Sequence, residues 1–366
     1  MYKFLMVLTI FSAIGLQGWR SIFNNFAIDV AGLDGHQVGI IQAFREVPGF
    51  LTFLVIFVLF FIKEHRLAIL AIFLLVLGIG ITGFFPSFYG IILTTFLMSI
   101  GFHYYETVNK SLVIQYFNKK ISPLVFAKQK SLAAITNIFI GLVIFFVSFY
   151  LSYQQIFLCL GGIVFVAVIW AFFQDPVDKD ILLQQKKLIF KKKYSLFYIL
   201  TFLSGARRQI FMAFAVFLLA KKFDFTVQEI TLLFVVNNLI NYFLSPFIGK
   251  AIVRFGERKV LSLEYFSLIF IFLFYTYATS KIFLMILYIL DHIFFNFALA
   301  IQTYFQKIGD PKDFASGTAV GFAINHIAAV IFPVIGGILW IIDYRIPFFI
   351  GAFFSLLSFL AVQKIK

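Results

Sequence analysis

The sequence predicts an all-α polytopic membrane protein, with twelve transmembrane helices in two pseudo-symmetric six-helix bundles. Three observations predict it: apolar residues come in span-length blocks, Lys and Arg gather in alternate loops, and an internal repeat relates the two halves of the chain.

Of the 366 residues, 62% are hydrophobic and 13% charged. A soluble domain has about 45–50% apolar and about 25% charged residues, so this chain has too little polar surface to stay in water. The apolar excess is blocked into runs of about 20 residues, the length that crosses about 30 Å of hydrocarbon; the run 67–84 holds no charge. Gly, Pro and charged interruptions divide these runs into spans near 4–28, 38–62, 67–84, 88–113, 131–150, 154–174, 194–220, 226–250, 259–279, 281–306, 318–340 and 344–363. Arg20, Asn24 and Asn25 interrupt the first run, and it has no small-residue cleavage site, so it is expected to be an uncleaved span. The single cysteine, Cys159, excludes an internal disulfide and a cysteine-based zinc cluster, and is expected to be core filler.

The net charge of +14 reports topology. Loops on one side carry 21 of the 30 Lys and Arg, the opposite loops carry only Lys221, Lys222, Lys281 and Arg345, and the other 5 lie within spans. Basic loops resist translocation and stay inside. Both termini are therefore expected to be cytoplasmic, in a multi-pass protein of the plasma membrane, here a bacterial inner membrane. The basic run Lys186–Lys193 reads as a solvated linker (175–193) between an N-terminal bundle, 1–174, and a C-terminal bundle, 194–366. A lipid-binding polybasic switch is the competing reading of that run. No nucleic-acid partner is expected.

A shift of 188 residues aligns Tyr116-Phe117 with Tyr304-Phe305, Lys119 with Lys307, Pro123 with Pro311, Phe126-Ala127 with Phe314-Ala315 and Asn137 with Asn325. Far upstream it also aligns Arg20 with Arg208, Ile22-Phe23 with Ile210-Phe211 and Phe26-Ala27 with Phe214-Ala215. One offset at two distant places, with Arg, Asn and Pro among the matches, marks a duplication. After the eighth span, Gly249, Arg254, Gly256, Arg258 and Lys259 follow a glycine–basic–glycine–basic pattern, with Val253 where an aspartate is usual. That run resembles the signature loop of the major facilitator superfamily, and the resemblance covers essentially the whole chain. It implies parallel six-helix halves with a substrate site near the midplane, no cofactor, and transport by alternating access.

An ionisable group at a helix centre costs about 2.5–3.5 kcal/mol on insertion scales, so it faces a cavity or a partner. Arg20 lies eight residues, about 12 Å at 1.5 Å per residue, from the outer end of its span. Gln17, Arg20 and Asn24 share a helical face, as do Thr201, Ser204 and Arg208. Arg20, Asn24, Arg45, Arg207, Arg208, Asn237 and Asn241 are the candidate substrate-binding residues. Ser99, His103, Glu106 and Lys110 form one stripe of the fourth span. With Glu46, Asp291 and His292, the last three are candidates for proton coupling or ion pairing. Structural readings stand beside these: Arg45–Glu46 as a neutralising pair, Glu106 permanently paired with Lys110, Arg207 paired with Asp291 or Glu106, His292 and His326 donating to backbone carbonyls, and Asn137 and Asn325 as interhelical glue.

Arginines at symmetric positions in the first and seventh spans suit an anion, because guanidinium forks hold carboxylate or phosphate bidentately. Their placement resembles that of facilitators that exchange organic phosphates. The expected function is secondary transport of a small organic anion, a carboxylate or phosphate ester, by a monomer in the lipid bilayer, driven by protons or by exchange. The alternatives are a multidrug or cation exporter, a divalent-metal carrier drawing on His103, Glu106, Asp291, His292 and His326, and a non-transporting receptor. No tight metal-ligand spacing occurs. HExxH, GxSxG and Walker A motifs are absent from the sequence, which argues against an enzyme or a nucleotide-driven pump.

The topology is testable in a background lacking Cys159. Cysteines at Asp34, Gln154 and Asp343 should react with an impermeant thiol reagent from outside, and those at Lys120, Gln185 and Glu257 should not. Labelling of both sets from one side would refute the twelve-span reading.

Overall fold

The computed structural model describes residues 1–365 apart from 178–181, 183 and 186. Lys179 and Lys186 of the basic linker therefore lie outside the described residues. Among the described residues the chain runs through twelve helical segments. Helix α1 (Tyr2–Asn25) continues through a π turn, Phe26–Val30, and α2 (Gly35–Phe50) continues through Leu51–Leu54 and Val55–Val58. Then come α3 (Glu64–Ile81), α4 (Phe88–Tyr116), α5 (Ser122–Val147) and α6 (Tyr153–Phe172). Helix α7 (Ser195–Ile210) passes through a second π turn, Phe211–Ala215, to Val216–Lys222. The stretch Val227–Tyr277 breaks at Gly256 into α8 before it and α9 after it. Helix α10 runs from Lys281–Phe295 through Asn296–Ala298 to Leu299–Ile308, followed by α11 (Phe314–Ile342) and α12 (Ile346–Val362). Seven of these stretches, α8–α9 counted once, are long and apolar enough to cross a membrane.

The helices start where the local chemistry lets them. Asp34 accepts from Gln37 N at 2.8 Å and Gln37 Oε1 accepts in return from Asp34 N at 3.1 Å. Ser152 with Gln155, and Thr226 with Glu229, make the same reciprocal box, and Ser280 Oγ accepts from Phe283 N. Each satisfies backbone donors that a helix N-terminus leaves orphaned. Three boundaries depart from the sequence expectation. Helix α5 begins at Ser122 rather than near 131, and α11 at Phe314 rather than near 318, since Lys128, Lys130 and the polar first turns hide a helix from an apolar-run criterion. Helix α8 continues to Gly256, so the expected signature loop is a helix with a one-residue break. Gly256 has φ +80°, a left-handed conformation that glycine adopts without strain from a Cβ. Glu257, placed in a loop by sequence, is 3% exposed.

The described residues pack as two compact units. One comprises Met1–Tyr116, Leu132–Ile189 and Pro311–Phe322; the other comprises Phe117–Ser131, Phe190–Asp310 and Ala323–Lys366. The two short exchanged pieces are related by the 188-residue repeat. In the second unit Gln306 donates to Phe117 O at 2.6 Å, and Ser131 donates to Tyr242 O at 2.7 Å. In the first, Gln185 N donates to Lys312 O at 2.7 Å, and the Lys110 ammonium lies 4.4 Å from the Phe322 ring centre.

Between helices in lipid there is no hydrophobic drive, so close backbone approach carries the packing. A Cβ on Gly101 would lie 2.2 Å from Leu75 N, and one on Gly78 would lie 2.4 Å from Met98 N, which makes α3 and α4 cross backbone to backbone. In the second unit, Phe214 stacks on Trp340 and Tyr275 on Phe348. Large apolar side chains such as Phe61, Tyr89 and Tyr150 stand outward, as a lipid-facing surface requires. The described end of the linker is tethered by Lys191 and Lys193, whose ammonium groups lie 3.0 and 2.6 Å from Asp310. Hydrogen bonds from Lys193 and Lys191 hold the Asp310 carboxyl well below the usual carboxylate range. Its contribution is therefore complete above the ordinary carboxylate pKa and fades only as pH falls through the lowered value.

Replacing Gly101 with Ala should lower unfolding stability in detergent by about 1–3 kcal/mol, because the added methyl meets backbone. Gly141→Ala, where a Cβ meets nothing within 4 Å, should be neutral or stabilising. Equal effects in a denaturant or thermal series would show that the α3–α4 approach is not the constraint.

Candidate functional site

In the first unit a cavity of about 130 Å³ opens between α1, α4 and α5. Thr9, Gln17 and Arg20 line it from α1, Tyr105 and Glu106 from α4, and Asn137 from α5. The helical spacing read in the sequence explains α1's contribution, since Gln17 and Arg20 share a face. Thr9 Oγ1 donates to Leu5 O at 2.8 Å, so the 3.2 Å contact with Tyr105 takes its proton from the tyrosine hydroxyl. Arg20 is exposed, and Asn24, one turn farther out, is exposed too. Lys110 lies 3.6 Å from Glu106, each about a third exposed.

The expected α4 stripe divides into two pairs. Glu106 reaches forward to Lys110, while His103 Nδ1 lies 2.9 Å from Ser99 Oγ. Ser99 in turn donates to the carbonyl of Arg45 on α2. Arg45 binds its neighbour Glu46 at 2.8 Å, the neutralising arrangement weighed from sequence.

The second unit gathers its polar residues in two places. On α8 and α10, Asn241 Nδ2 lies 2.8 Å from His292 Nε2, and Asn296 donates to Asn241 Oδ1. Asn237 is buried beside them on α8, its side-chain carbonyl without a partner among the described residues. Deeper, Arg207 is fully buried and pairs with Glu264 of α9 at 3.4 Å, with its guanidinium 4.2 Å from the centre of the Tyr265 ring. This corrects the sequence expectation of Asp291 or Glu106 as its partner. Asp291, also fully buried, feels the Arg207 charge. Arg208 is half-buried on the next position.

Sequence reasoning missed Glu264, Tyr105 and Thr9. Glu264 was findable, as the one carboxylate within the ninth span, under the rule that singled out Asp291. The hydroxyls carry no such signal. The signature residues acquire physical roles. A Cβ on Gly249 would lie 2.8 Å from Pro123 O, so only glycine lets α8 approach the first turn of α5. Arg258 donates to Gln363 Oε1 at 3.2 Å, while Arg254 and Lys259 are exposed. Glu257 binds Lys307 at 2.5 Å.

The family model described as Major Facilitator Superfamily matches residues 197–364. A comparison of the sequence with curated proteins gave no match. Among solved structures, a bacterial homologue of the iron transporter ferroportin superposes with TM-score 0.81 at 12% identity, covering 99% of this chain and 98% of that one. The E. coli fucose:proton symporter FucP gives 0.78 at 13%, covering 100% and 98%. The human organic anion transporter MFSD10 gives 0.76 at 10%, covering 99% and 98%. At these identities the likeness establishes the fold.

A double-mutant cycle on Glu257→Gln and Lys307→Ala should return a coupling of about 1 kcal/mol in unfolding stability, with Lys307→Ala alone the more harmful because it strands a buried carboxylate. Additive single effects would remove the pair from the account of the signature segment.

Proposed function

We propose that this chain is a member of the Major Facilitator Superfamily, a multi-pass membrane transporter rather than an enzyme, and that it is a secondary carrier for a small organic anion, a carboxylate or phosphate ester. The observation that carries the reading is Arg20 and Glu106 on the walls of one cavity, with Gln17 and Asn137 beside them. A guanidinium keeps its charge at any physiological pH and offers a fork matched to carboxylate and phosphate oxygens. The charge of Glu106 is answered by Lys110, one turn along the same helix. Gln17 and Asn137 add amide donors suited to anion oxygens. Arg208, at the repeat-related position, supplies a second guanidinium in the other unit. The transporters of similar fold handle an organic anion, fucose and, in the case of ferroportin, iron, so the choice of anion rests on the residues. The carrier works as a monomer in a bacterial inner membrane with both termini cytoplasmic, by alternating access driven by protons or by exchange.

The test begins with a thermal-shift screen of purified protein against organic acids, phosphate esters and divalent metals, followed by counterflow of the stabilising solute in proteoliposomes. Arg20→Ala and Arg208→Ala should each abolish counterflow in folded protein, and Arg→Lys should restore little of it. Normal counterflow in both alanine variants would overturn the anion reading, and binding without movement would identify a receptor. Glu106→Gln should lose accumulation driven by a pH gradient while keeping exchange of labelled for unlabelled solute. Unchanged accumulation would make Glu106 structural.

A further inference from the structure

The buried cluster of α7, α9 and α10 does not balance its charges. Glu264 and Asp291 are two carboxylates, each with 0% exposure, and Arg207, also 0% exposed, is the one guanidinium among them. Arg207 Nη2 reaches Glu264 Oε1 at 3.4 Å. Glu264 Oε2, both oxygens of Asp291, and Arg207 Nε and Nη1 find no hydrogen-bond partner among the described residues. The Tyr265 hydroxyl lies beside Arg207, and that of Tyr275, near Asp291, is unpartnered among the described residues. A fully ionised cluster would hold one uncompensated negative charge away from water, which a low-dielectric interior strongly disfavours.

The neighbours do not supply the missing charge. Facing the carboxylates are Arg207 from α7, Tyr265 and Tyr275 from α9, Tyr288 and His292 from α10, and Lys130 from α5. Lys130 acts through space from a half-buried position. His292 is engaged with Asn241 of α8. Helix α12 carries no titratable side chain, and α11 carries only His326.

We infer that Glu264 and Asp291 share one proton across Arg207, forming a buried proton-binding site in the second unit. The proton adds to a carboxylate oxygen, converting one –COO⁻ to –COOH, and leaves to water as hydronium when the site opens. Because the two acids are coupled through one guanidinium, the proton belongs to the pair rather than to either residue. The site's existence stands on charge and burial alone. Its use as a coupling site of the carrier, alongside Glu106, rests on the transporter reading above.

Infrared spectroscopy of the full-length protein in lipid reads the site directly, since a carboxylic acid has a carbonyl band that a carboxylate lacks. At neutral pH in sodium-free buffer, wild type should show one more acid than either Asp291→Asn or Glu264→Gln, since each variant leaves one carboxylate opposite one guanidinium. Arg207→Met should show one acid more than wild type. Asp291→Asn, the neutral isostere of the protonated form, should melt no lower than wild type, which separates loss of the band from loss of the fold. Wild-type band intensity in both carboxylate variants would overturn the proposal. So would a band that disappears on adding sodium, which would make the occupant a metal cation, or a band that is absent from wild type and appears in Lys130→Gln, which would make Lys130 the compensating charge. Proteoliposomes that move no solute would overturn the transporter reading and leave the infrared result standing.

Discussion

Hydrocarbon offers no water to a stray N–H, carbonyl or charge, and the structure is organised by that constraint. The backbone is helical nearly throughout, the N-termini of α2, α6 and α8 are closed by reciprocal side-chain caps, and most interior polar groups are paired or line a cavity, the cluster around Arg207 and Asp291 being the marked exception. Where helices meet, glycines take the place that hydrophobic residues occupy in a soluble core. Gly78 and Gly101 let backbones touch, and Gly249 admits a neighbouring first turn. Some large aromatics, such as Phe61 and Tyr89, stand outward, while others, such as Trp19 and Phe157, fill the interior.

The same constraint explains what the sequence disclosed. Span-length apolar runs are a direct consequence of bilayer thickness, so twelve helical segments could be read without a structure. The 188-residue repeat was legible because Arg, Asn and Pro recur at a fixed offset among interchangeable Phe, Leu and Ile. The starts of α5 and α11 were not legible, since their first turns carry Lys128, Lys130 or polar residues and lie beyond any apolar-run criterion. Nor was the single-residue break at Gly256, because positive φ is a backbone property with no partner in the composition.

The candidate site was legible by residue type and not by pairing. Arg20, Glu106 and Arg207 were identified because a charge in a span is rare. Which charge meets which depends on helix rotation and register, and these the periodicity leaves free. Arg207 pairs with Glu264 through a crossing of α7 and α9 that no local pattern announces. Tyr105 and Thr9 join the cavity through hydroxyls indistinguishable in sequence from core filler.

The two units use charge in contrasting ways, although a 188-residue offset aligns much of their sequence. In the first, Arg20 is exposed and lines one cavity with Glu106, which is paired with Lys110. In the second, Arg207, Glu264 and Asp291 are closed off from solvent, so any change in their charge must accompany a rearrangement that readmits water. Both π turns follow shortly after the repeat-related arginines, at Phe26–Val30 and Phe211–Ala215. A π turn is a local widening of the helix that marks functional positions and accommodates a shift of register. Helix α7 thus carries Arg207, Arg208 and its π turn within nine residues, so the buried charge and the local widening of the helix lie side by side in sequence.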